Sequence, residues 1–520
     1  ILITTNRLYA RSETLKSNLI DRTQNHYSNH KFERDPFFFL GHTFKIIHPL
    51  LPLTFSFNHH LLLFYLFSFL SLSSILPICI VIVIIMEAPD CMYRGEALSI
   101  PPSAPTPKHS LYLSNLDDQN FLRFSIKYLY LFNKSLNLDV LKSSLARVLV
   151  DYYPLAGRLR TVDHEKLEVD CNGQGALFAE AFTHTTLHQL LESSKTPNKS
   201  WKKFLYKVEA HTFVDVPPLV VQVTRLGCGG MILCTAINHC VCDGIGTSQF
   251  LHAWAQLTKK PEAELTIMPF HWRHVLKPRH PAQVKFRHAG YTAPNPTPQV
   301  DLIKFIQSQP LVATSFTLTP SHVLRLKKEC VPSLKCTSFE TVAAHTWRSW
   351  IRSLGQSLPS KLTVKLLFSV NVRRTVDLPQ GYYGNGFLLA CAESSVEDLV
   401  DGNLRHGVKL VQEAKARLKE EEYVRSMVDL LEDKTVKTDL STSLVISQWS
   451  RLGLEEVDFG EGKPLHMGPL TSDIYCLFLP VAGDANAVRV LLSVPATMVE
   501  RFQYHMMRQS REENEENGFF

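Results

Sequence analysis

Apolar residues recur every three or four positions in two stretches of the chain, which is the spacing of an amphipathic helix. The apolar face of the first stretch consists of Leu138, Leu141, Leu145 and Val148. Asn137 precedes this face and can accept a hydrogen bond from the first turn. The second stretch covers residues 337–350, with Thr337 or Ser338 as the capping residue. We therefore expect a capped helix at each of these two stretches.

Short runs of β-branched and aromatic residues predict strands around the first helix. Residues 123–132 form one run, and residues 219–226 and 231–238 form two more. The last two are joined by the turn sequence GCGG, which is typical of a hairpin. Residue 239, a histidine, follows the hairpin directly. We predict a helix after Gly246, with Thr247 or Ser248 at its start.

The second half of the chain repeats the alternation of strand and helix. Residues 365–372 and 442–449 are strand-like runs. Between the halves, residues 261–310 contain eight prolines, which indicates a crossover between domains rather than a regular element. The pattern favours an α/β fold built from two halves around a proline-rich link.

The first 85 residues differ from the rest. The chain opens on isoleucine, its first methionine is Met86, and residues 46–85 contain no charged residue. Residues 61–85 are long enough to span a bilayer, so one interpretation is a membrane anchor. The favoured one is a leader outside the native protein, because Pro77 interrupts the apolar run. At the other end, residues 508–520 are predicted to be a disordered acidic tail.

Composition narrows the class of protein. The net charge of +6 over 520 residues is compatible with an anionic ligand but gives no nucleic-acid footprint. Eleven cysteines without CxxC pairs do not form a disulfide framework, so we expect a reduced, cytosolic protein. The Asn-Lys-Ser sequences at Asn133 and Asn198 would accept glycans only in a secreted chain.

The segment INHCVCDGIGTSQF, residues 237–250, concentrates the candidate chemistry. It lies where a buried strand gives way to a helix, a place where α/β proteins commonly hold reactive groups. A metal site is disfavoured, because adjacent side chains alternate and zinc draws its ligands from separated pairs. A redox pair is disfavoured too, and Cys240 and Cys242 are expected to be small buried hydrophobes.

His239 is then the candidate general base. Its ordinary pKa of about 6.5 lets it accept a proton near neutral pH. The chain has no GxSxG sequence or other obvious nucleophile for it to activate, so the base would act on a substrate hydroxyl or amine. Asp243 could hold the imidazole or pair elsewhere and fix the loop, and Gly244 permits a sharp turn.

These residues match a known family. HCVCDG has the HxxxDG form, and DFGEGKP, residues 458–464, resembles a second signature, DFGWGKP. YYPLAGRLR, SFETVAAHTWR, VNVRR, LPQGYYGNG and SQWSRLG stand in the same order as in that family. Over roughly residues 87–507 the chain resembles the plant BAHD acyltransferases. It is most similar to the branch that transfers hydroxycinnamoyl groups, such as feruloyl, to ω-hydroxy fatty acids and fatty alcohols.

The resemblance implies two similar-sized domains of the chloramphenicol-acetyltransferase type, each a mixed sheet flanked by helices, over residues 87–260 and 311–507. An active-site channel would run between them, with His239 midway along it. Acyl-CoA and an alcohol would enter from opposite faces, and His239 would act as the base in a ternary complex. The family pattern implies a monomer without membrane association, metal or bound cofactor.

The resemblance also assigns roles to other residues. Asp243 would be structural and pair with Arg373, and Asn385 would lie near the channel. The residues that would shape the surrounding loops are Gly244, Asp458, Gly460 and Gly462.

One departure from the family pattern stands at Glu461, where the second signature carries tryptophan. In hydroxycinnamoyl relatives that tryptophan is a suggested N–H donor to the oxyanion, a role an ionised glutamate cannot fill. Either another group serves, or Glu461 points away, or activity is reduced. The departure leaves open an alternative function, a non-catalytic family member that is an accessory to another acyl-chain enzyme.

Overall fold

The fold is described by a computed structural model over residues 91–162, 166–194, 199–210, 212, 214–292, 301–355, 358–471 and 475–507. The expected leader of residues 1–85, the acidic tail of residues 508–520 and Asn198 lie outside the described residues. Within the described ranges, no helix combines the length and the apolar character needed to cross a membrane.

The described residues of the first half form nine strands and three α-helices. The strands are β1 (Met92–Tyr93), β2 (Leu98–Ile100), β3 (Ser110–Tyr112), β4 (Ser125–Phe132), β5 (Arg158–Thr161), β6 (Leu167–Asp170), β7 (Ala176–Thr183), β8 (Leu219–Leu226) and β9 (Met231–Asn238). The helices are α1 (Leu138–Asp151), α2 (Leu187–Ser193) and α3 (Gly244–Lys259). The expected helix after Asn137 and the expected β8–β9 hairpin are both present.

The main sheet of this half has the order β1-β7-β8-β9-β4, with β2 also paired to β7. The β7–β8 pair is parallel and the β8–β9 and β4–β9 pairs are antiparallel, so the sheet is mixed. In the β4–β9 register Ser125 lies opposite Asn238. The start of β4 and the residue after β9 therefore meet at one edge of the sheet.

Helix α3 begins earlier than expected. We predicted a start at Thr247 or Ser248, but the helix begins at Gly244. The Asp243 side chain caps it, accepting a hydrogen bond from the backbone N–H of Gly246 at 2.9 Å. An aspartate is among the best N-capping residues, and here Asp243 both ends the turn after β9 and caps α3.

The proline-rich stretch of residues 261–310 contains more regular structure than we predicted. It includes a 3-10 turn (Arg273–Leu276), β10 (Tyr291–Thr292) and α4 (Leu302–Gln307). Asp301 caps α4 through the backbone N–H of Lys304, which explains how a helix forms soon after several prolines. The rest of the described stretch is irregular.

The second half supplies the remaining elements. The strands are β11 (Leu311–Leu318), β12 (Thr363–Asn371), β13 (Phe387–Ser395), β14 (Lys437–Thr438), β15 (Ser443–Gln448), β16 (His466–Pro469), β17 (Cys476–Val481) and β18 (Asp484–Pro495). The helices are α5 (Pro320–Lys328), α6 (Ser338–Leu354), α7 (Val396–Asp401), α8 (Leu404–Arg417), α9 (Glu421–Leu430) and α10 (Val499–Met507). As expected, Thr337 caps α6, and it does so in a reciprocal capping box with Glu340.

The second sheet has the order β11-β18-β17-β15-β12-β13, with parallel β12–β15 and β15–β17 pairs. Helix α6 packs against this sheet, and its Phe339 ring contacts Phe368 and Phe478. The fold is therefore α/β, as the sequence predicts, and its two large sheets are mixed and flanked by helices.

Strand β16 belongs to the second half in sequence but to the first sheet in space. It pairs antiparallel with β4, with His466 opposite Leu131 and Pro469 opposite Tyr128. The core around the first sheet accordingly includes residues from the second half, such as Trp449 and Phe459. This pairing joins the two sheet regions along the second half of β4, from Tyr128 to Leu131.

Candidate active site

His239 is the first residue after β9. Its backbone N–H donates to the carbonyl oxygen of Phe124 at 2.8 Å, which ties it to the residue before β4. Its ring lies edge-on to Phe124, with ring centroids 5.5 Å apart, and 5.8 Å from the ring of Phe387. The imidazole is thus fixed between an aromatic side chain from each half.

Two cavities meet at His239. One has a volume of about 610 Å³ and the other about 260 Å³. Both are lined by Ile126, His239, Ser369, Phe387, Ser447 and Trp449. A substrate in either cavity can therefore approach the same imidazole.

The surroundings of His239 favour its neutral form. Burial lowers the pKa of the imidazole below its usual value, while its own carbonyl, the Asp243 carboxylate, Asn385 and Asp117 oppose the shift only in part. The Nδ1 atom is buried, so Nε2 is the ring nitrogen available to the cavities. A neutral imidazole with Nε2 facing substrate is the state that accepts a proton.

The Asp243 carboxylate lies in a buried ion pair with Arg373. It also accepts the backbone N–H of Gly386 at 3.0 Å and that of Gly246 at 2.9 Å. Burial raises the pKa of Asp243, but the Arg373 guanidinium and these N–H donors outweigh it and hold the pKa below its usual range. Asp243 therefore stays ionised, and its oxygens are engaged in fixing the turn. Gly244, the next residue, lines the smaller cavity.

Asn385 is placed behind the imidazole. Its side-chain Nδ2 donates to the carbonyl oxygen of His239 at 2.8 Å and to Asp117 Oδ1 at 2.9 Å. We expected Asn385 near the channel, but it is fully buried and is not among the described residues that line either cavity. Its contacts with the backbone of His239 keep it out of the cavity wall.

The second signature forms a tight loop. Asp458 Oδ1 accepts the backbone N–H of Gly460 at 2.8 Å and that of Gly462 at 3.0 Å. The N–H of Gly460 is the main cause of a pKa of Asp458 below its usual value. Both glycines have positive φ angles, 120° and 99°, which explains why other residues are disfavoured there.

Glu461 points into solvent at the far end of β4. Its carboxylate pairs with Lys134 Nζ at 3.1 Å, and both side chains are exposed. Lys134 lies beyond Phe132, and the seven steps of β4 from Ser125 to Phe132 span roughly 23 Å. Position 461 is therefore remote from His239, and Glu461 is not among the described residues that line either cavity.

Sequence reasoning missed the polar residues that do border His239. Ser369, Ser447 and Trp449 line both cavities and carry hydroxyl or N–H donors. The β12–β15 register, Phe368 opposite Ile446, places Ser369 and Ser447 side by side. The sequence signal was present, since Ser447 and Trp449 lie in the landmark SQWSRLG, but only the sheet register brings them to the histidine.

The two cysteines of the segment are buried. Cys240 Sγ donates to the carbonyl oxygen of Leu122, and Cys242 Sγ lies 3.5 Å from the hydroxyl of Thr247. Burial raises the pKa of Cys242 to about 12, so its thiol stays protonated. Throughout the described ranges, no three His, Cys, Asp or Glu side chains are grouped to hold a metal ion.

Comparison with known proteins places this geometry in a family. A family model described as Transferase family matches residues 96–509. The chain is 32% identical over 433 residues to an omega-hydroxypalmitate O-feruloyl transferase of Arabidopsis thaliana, which covers 80% of this chain and 93% of the relative. It is 35% identical over 434 residues to an alcohol acyl transferase of Malus domestica, which covers 80% and 94%. A fatty alcohol:caffeoyl-CoA acyltransferase of Arabidopsis thaliana is 32% identical over 420 residues, covering 79% and 96%.

Solved structures share the fold. Vinorine synthase matches with a TM-score of 0.62 and 21% identity, covering 80% of this chain and 98% of that protein. TRI101 of F. graminearum, complexed with coenzyme A and T-2 mycotoxin, matches with a TM-score of 0.65 and 14% identity, covering 78% and 98%. The chain belongs to the BAHD acyltransferase family. It is an enzyme, an acyl-CoA-dependent acyltransferase.

Proposed function

We propose that the protein transfers an acyl group from a coenzyme A thioester to an alcohol, with His239 as general base. The observation that carries the proposal is the position of His239, whose imidazole borders both cavities. Donor and acceptor bound on either side would be held against one base, and such proximity supplies much of the rate.

The reaction needs no covalent intermediate on the enzyme. Nε2 of His239 removes the hydroxyl proton of the alcohol while the oxygen attacks the thioester carbonyl carbon. The C–O bond forms, a tetrahedral oxyanion results, and its collapse breaks the C–S bond. The proton on His239 then passes to the departing sulfur. The products are an ester and the free thiol of coenzyme A.

The oxyanion requires a hydrogen-bond donor near His239. We assign this role to Trp449, supported by Ser369 and Ser447, because these side chains line both cavities where the acyl carbon would lie. The Trp449 ring packs on Tyr128 with centroids 4.8 Å apart, so its indole is held in one orientation. A fixed donor stabilises the developing charge without reorganisation.

We propose a hydroxycinnamoyl thioester such as feruloyl-CoA as donor and an ω-hydroxy fatty acid or fatty alcohol as acceptor. The larger cavity is predominantly apolar, and its volume of about 610 Å³ is in the range of small-molecule sites. Its aromatic walls come from Phe121, Phe124, Phe387, Trp449 and Tyr475. Flat phenylpropanoid rings and alkyl chains both bury well against such walls.

The accessory alternative loses its supporting observation. It rested on Glu461, whose exposed pairing with Lys134 lies remote from His239.

We also propose that residues 87–260 and 311–507 are the two domains, and that the protein acts as a monomer in the cytosol. The ten cysteines of the described ranges are free thiols, which supports a reducing compartment.

The test is a panel assay on the purified protein. Feruloyl-, caffeoyl-, coumaroyl-, acetyl- and benzoyl-CoA are each paired with 16-hydroxypalmitate, 1-hexadecanol, hexanol and hexylamine, and thiol release and ester mass are recorded. We expect the hydroxycinnamoyl donors and long-chain alcohols to give the highest kcat/KM. Preference for acetyl-CoA would overturn the substrate assignment, and absence of thiol release from every pair would overturn the proposed function.

A further inference from the structure

Alternate residues of the catalytic turn are held by side chains from distant parts of the chain. Asn385 Nδ2 donates to the carbonyl oxygen of His239 at 2.8 Å. Arg273 Nη2 donates to the carbonyl oxygen of Val241 at 2.9 Å. Asp243 is held by its ion pair. The turn that carries the imidazole is therefore fastened at positions 239, 241 and 243.

Asp117 connects two of these holding groups. Its Oδ1 accepts the backbone N–H of Asn385 at 2.8 Å and the side-chain Nδ2 at 2.9 Å, and lies 3.6 Å from Arg273 Nη1. Its Oδ2 accepts the backbone N–H of Ser114 at 3.0 Å and the Ser114 hydroxyl at 2.6 Å. The side chains of Asp117, Asn385, Arg273 and Ser114 are all fully buried. One carboxylate thus fixes both Asn385 and Arg273.

Arg273 is enclosed by the glycine-rich turn of residues 381–386. Its guanidinium lies 5.0 Å from the ring centroid of Tyr382 and 4.6 Å from that of Tyr383. A Cβ on Gly384 would lie 1.0 Å from Nη1, so only glycine leaves room for it. Burial lowers the pKa of Arg273, but the Asp117 carboxylate and the two tyrosines more than offset this, so the guanidinium stays charged.

This arrangement is poorly suited to stability alone. Within the described part of the chain, Arg273 Nε and Nη1 are buried without a hydrogen-bond partner. A buried ion pair is often no more stabilising than apolar residues of similar volume. The hydrogen bond that Arg273 does make goes to the catalytic turn. We propose that Asp117 and Arg273 are positioning residues that keep Nε2 of His239 between the two cavities, a role that rests on the proposed function.

Conservative substitutions test this role. In Asp117→Asn and Arg273→Lys, we expect kcat to fall about 10- to 100-fold, because misplacement of a base by about 1 Å costs on the order of 10²-fold. The KM values for both substrates should change by less than about threefold, since neither residue contacts them. In Asp117→Asn the acid limb of the pH profile should also move to lower pH, because the Asp117 charge raises the pKa of His239.

Matched controls come from a second ion pair with one member in the proline-rich stretch. Arg279 Nε lies 2.7 Å from Asp429 Oδ2, and Asp429 is buried. Arg279→Lys and Asp429→Asn should lower the melting temperature while kcat stays within about twofold of wild type. If Asp117→Asn or Arg273→Lys is folded and also keeps kcat within that range, the positioning role is refuted.

A double variant covers the case in which a single variant fails to fold. Asp117→Asn with Arg273→Met removes both charges, so no uncompensated charge stays buried and folding should be restored. The hydrogen bond from Arg273 to the carbonyl oxygen of Val241 is still absent in this variant. Its kcat should therefore remain at least about tenfold below that of wild type. Wild-type kcat in the folded double variant would refute the inference. A wild-type protein that releases no thiol would instead refute the proposed function, and this inference with it.

Discussion

Arg373 donates two parallel hydrogen bonds to Asp243, from Nη1 to Oδ2 at 2.8 Å and from Nη2 to Oδ1 at 2.9 Å. The same guanidinium donates to the carbonyl oxygens of Gly384 and Tyr382. The pair joins the end of the turn of residues 239–243 to the loop before β13, and its two residues are 130 positions apart in the chain. It therefore fixes the relation between the two halves on either side of His239.

Removing the guanidinium should destabilise the fold strongly. Arg373→Met leaves the Asp243 carboxylate buried without its partner, and breaking a buried pair in this way costs about 3–5 kcal/mol. Arg373→Lys should lose less, because an ammonium keeps the charge but cannot reproduce the two-pronged geometry. The free energy of unfolding in urea measures both effects.

Arg374 provides the control, because it is adjacent and exposed. Arg374→Met should change the unfolding free energy by no more than about 0.5 kcal/mol. Equal effects of substitution at the two arginines would contradict the importance of the Asp243 pair.

Activity should decline on the acid side at a pH below the ordinary histidine value. Burial lowers the pKa of His239, and only the neutral imidazole accepts the proton of the alcohol. As pH falls through this lowered pKa, the base becomes protonated and kcat/KM falls, so full activity is retained at pH 7. A pH profile of kcat/KM gives the apparent pKa, and an acid limb centred above about 6.5 would disagree with the buried environment.

Restoring the family tryptophan at position 461 should change little. Glu461→Trp removes an exposed ion pair with Lys134, which is worth about 0–1 kcal/mol. Because the position is remote from His239, kcat should stay within about twofold of wild type. Steady-state kinetics with one donor and one acceptor decide the matter, and a tenfold gain in kcat would show that position 461 does reach the oxyanion.

In contrast to substitution at position 461, substitution of Trp449 should lower kcat strongly. Trp449→Phe keeps an aromatic ring against Tyr128 and removes the indole N–H together with part of the bicyclic ring. Loss of one oxyanion donor costs roughly 10²–10³ in kcat. The KM for acyl-CoA should change little, since the donor acts mainly on the transition state. If kcat is unaffected, Trp449 is not the oxyanion donor, and alanine at Ser369 and at Ser447 tests the two hydroxyls that line both cavities.

Local signals predicted several of the elements, including three helices and the strands next to His239. Asn137 and Thr337 mark helix starts because their side chains cap the first turn, an interaction within three residues. The GCGG turn predicted the β8–β9 hairpin because the turn residues lie directly between the two strands that they join. The start of α3 was misplaced because Asp243 has two roles, and its capping of the helix could not be separated from its pairing with Arg373.

Features that depend on distant contacts were not predictable. Strand β16 has four residues, two of which are glycine and proline, so its sequence gives no strand signal. Arg273 lies in the proline-rich stretch, and its ion pair with Asp117 joins segments 156 positions apart. Such contacts form only when both sheets are assembled, which is why Asp117 and Arg273 were missed, whereas the local motif around His239 was enough to propose it as the base.

The central claim is that the imidazole of His239 is the base for direct transfer between two bound substrates. The most direct measurement is thiol release from the best acyl-CoA donor, with and without acceptor, by wild type and by His239→Ala. We predict acceptor-dependent release by wild type and a fall of at least about 10³-fold in the variant, with its melting temperature and acyl-CoA affinity retained. Comparable acceptor-dependent release by folded His239→Ala would contradict the claim.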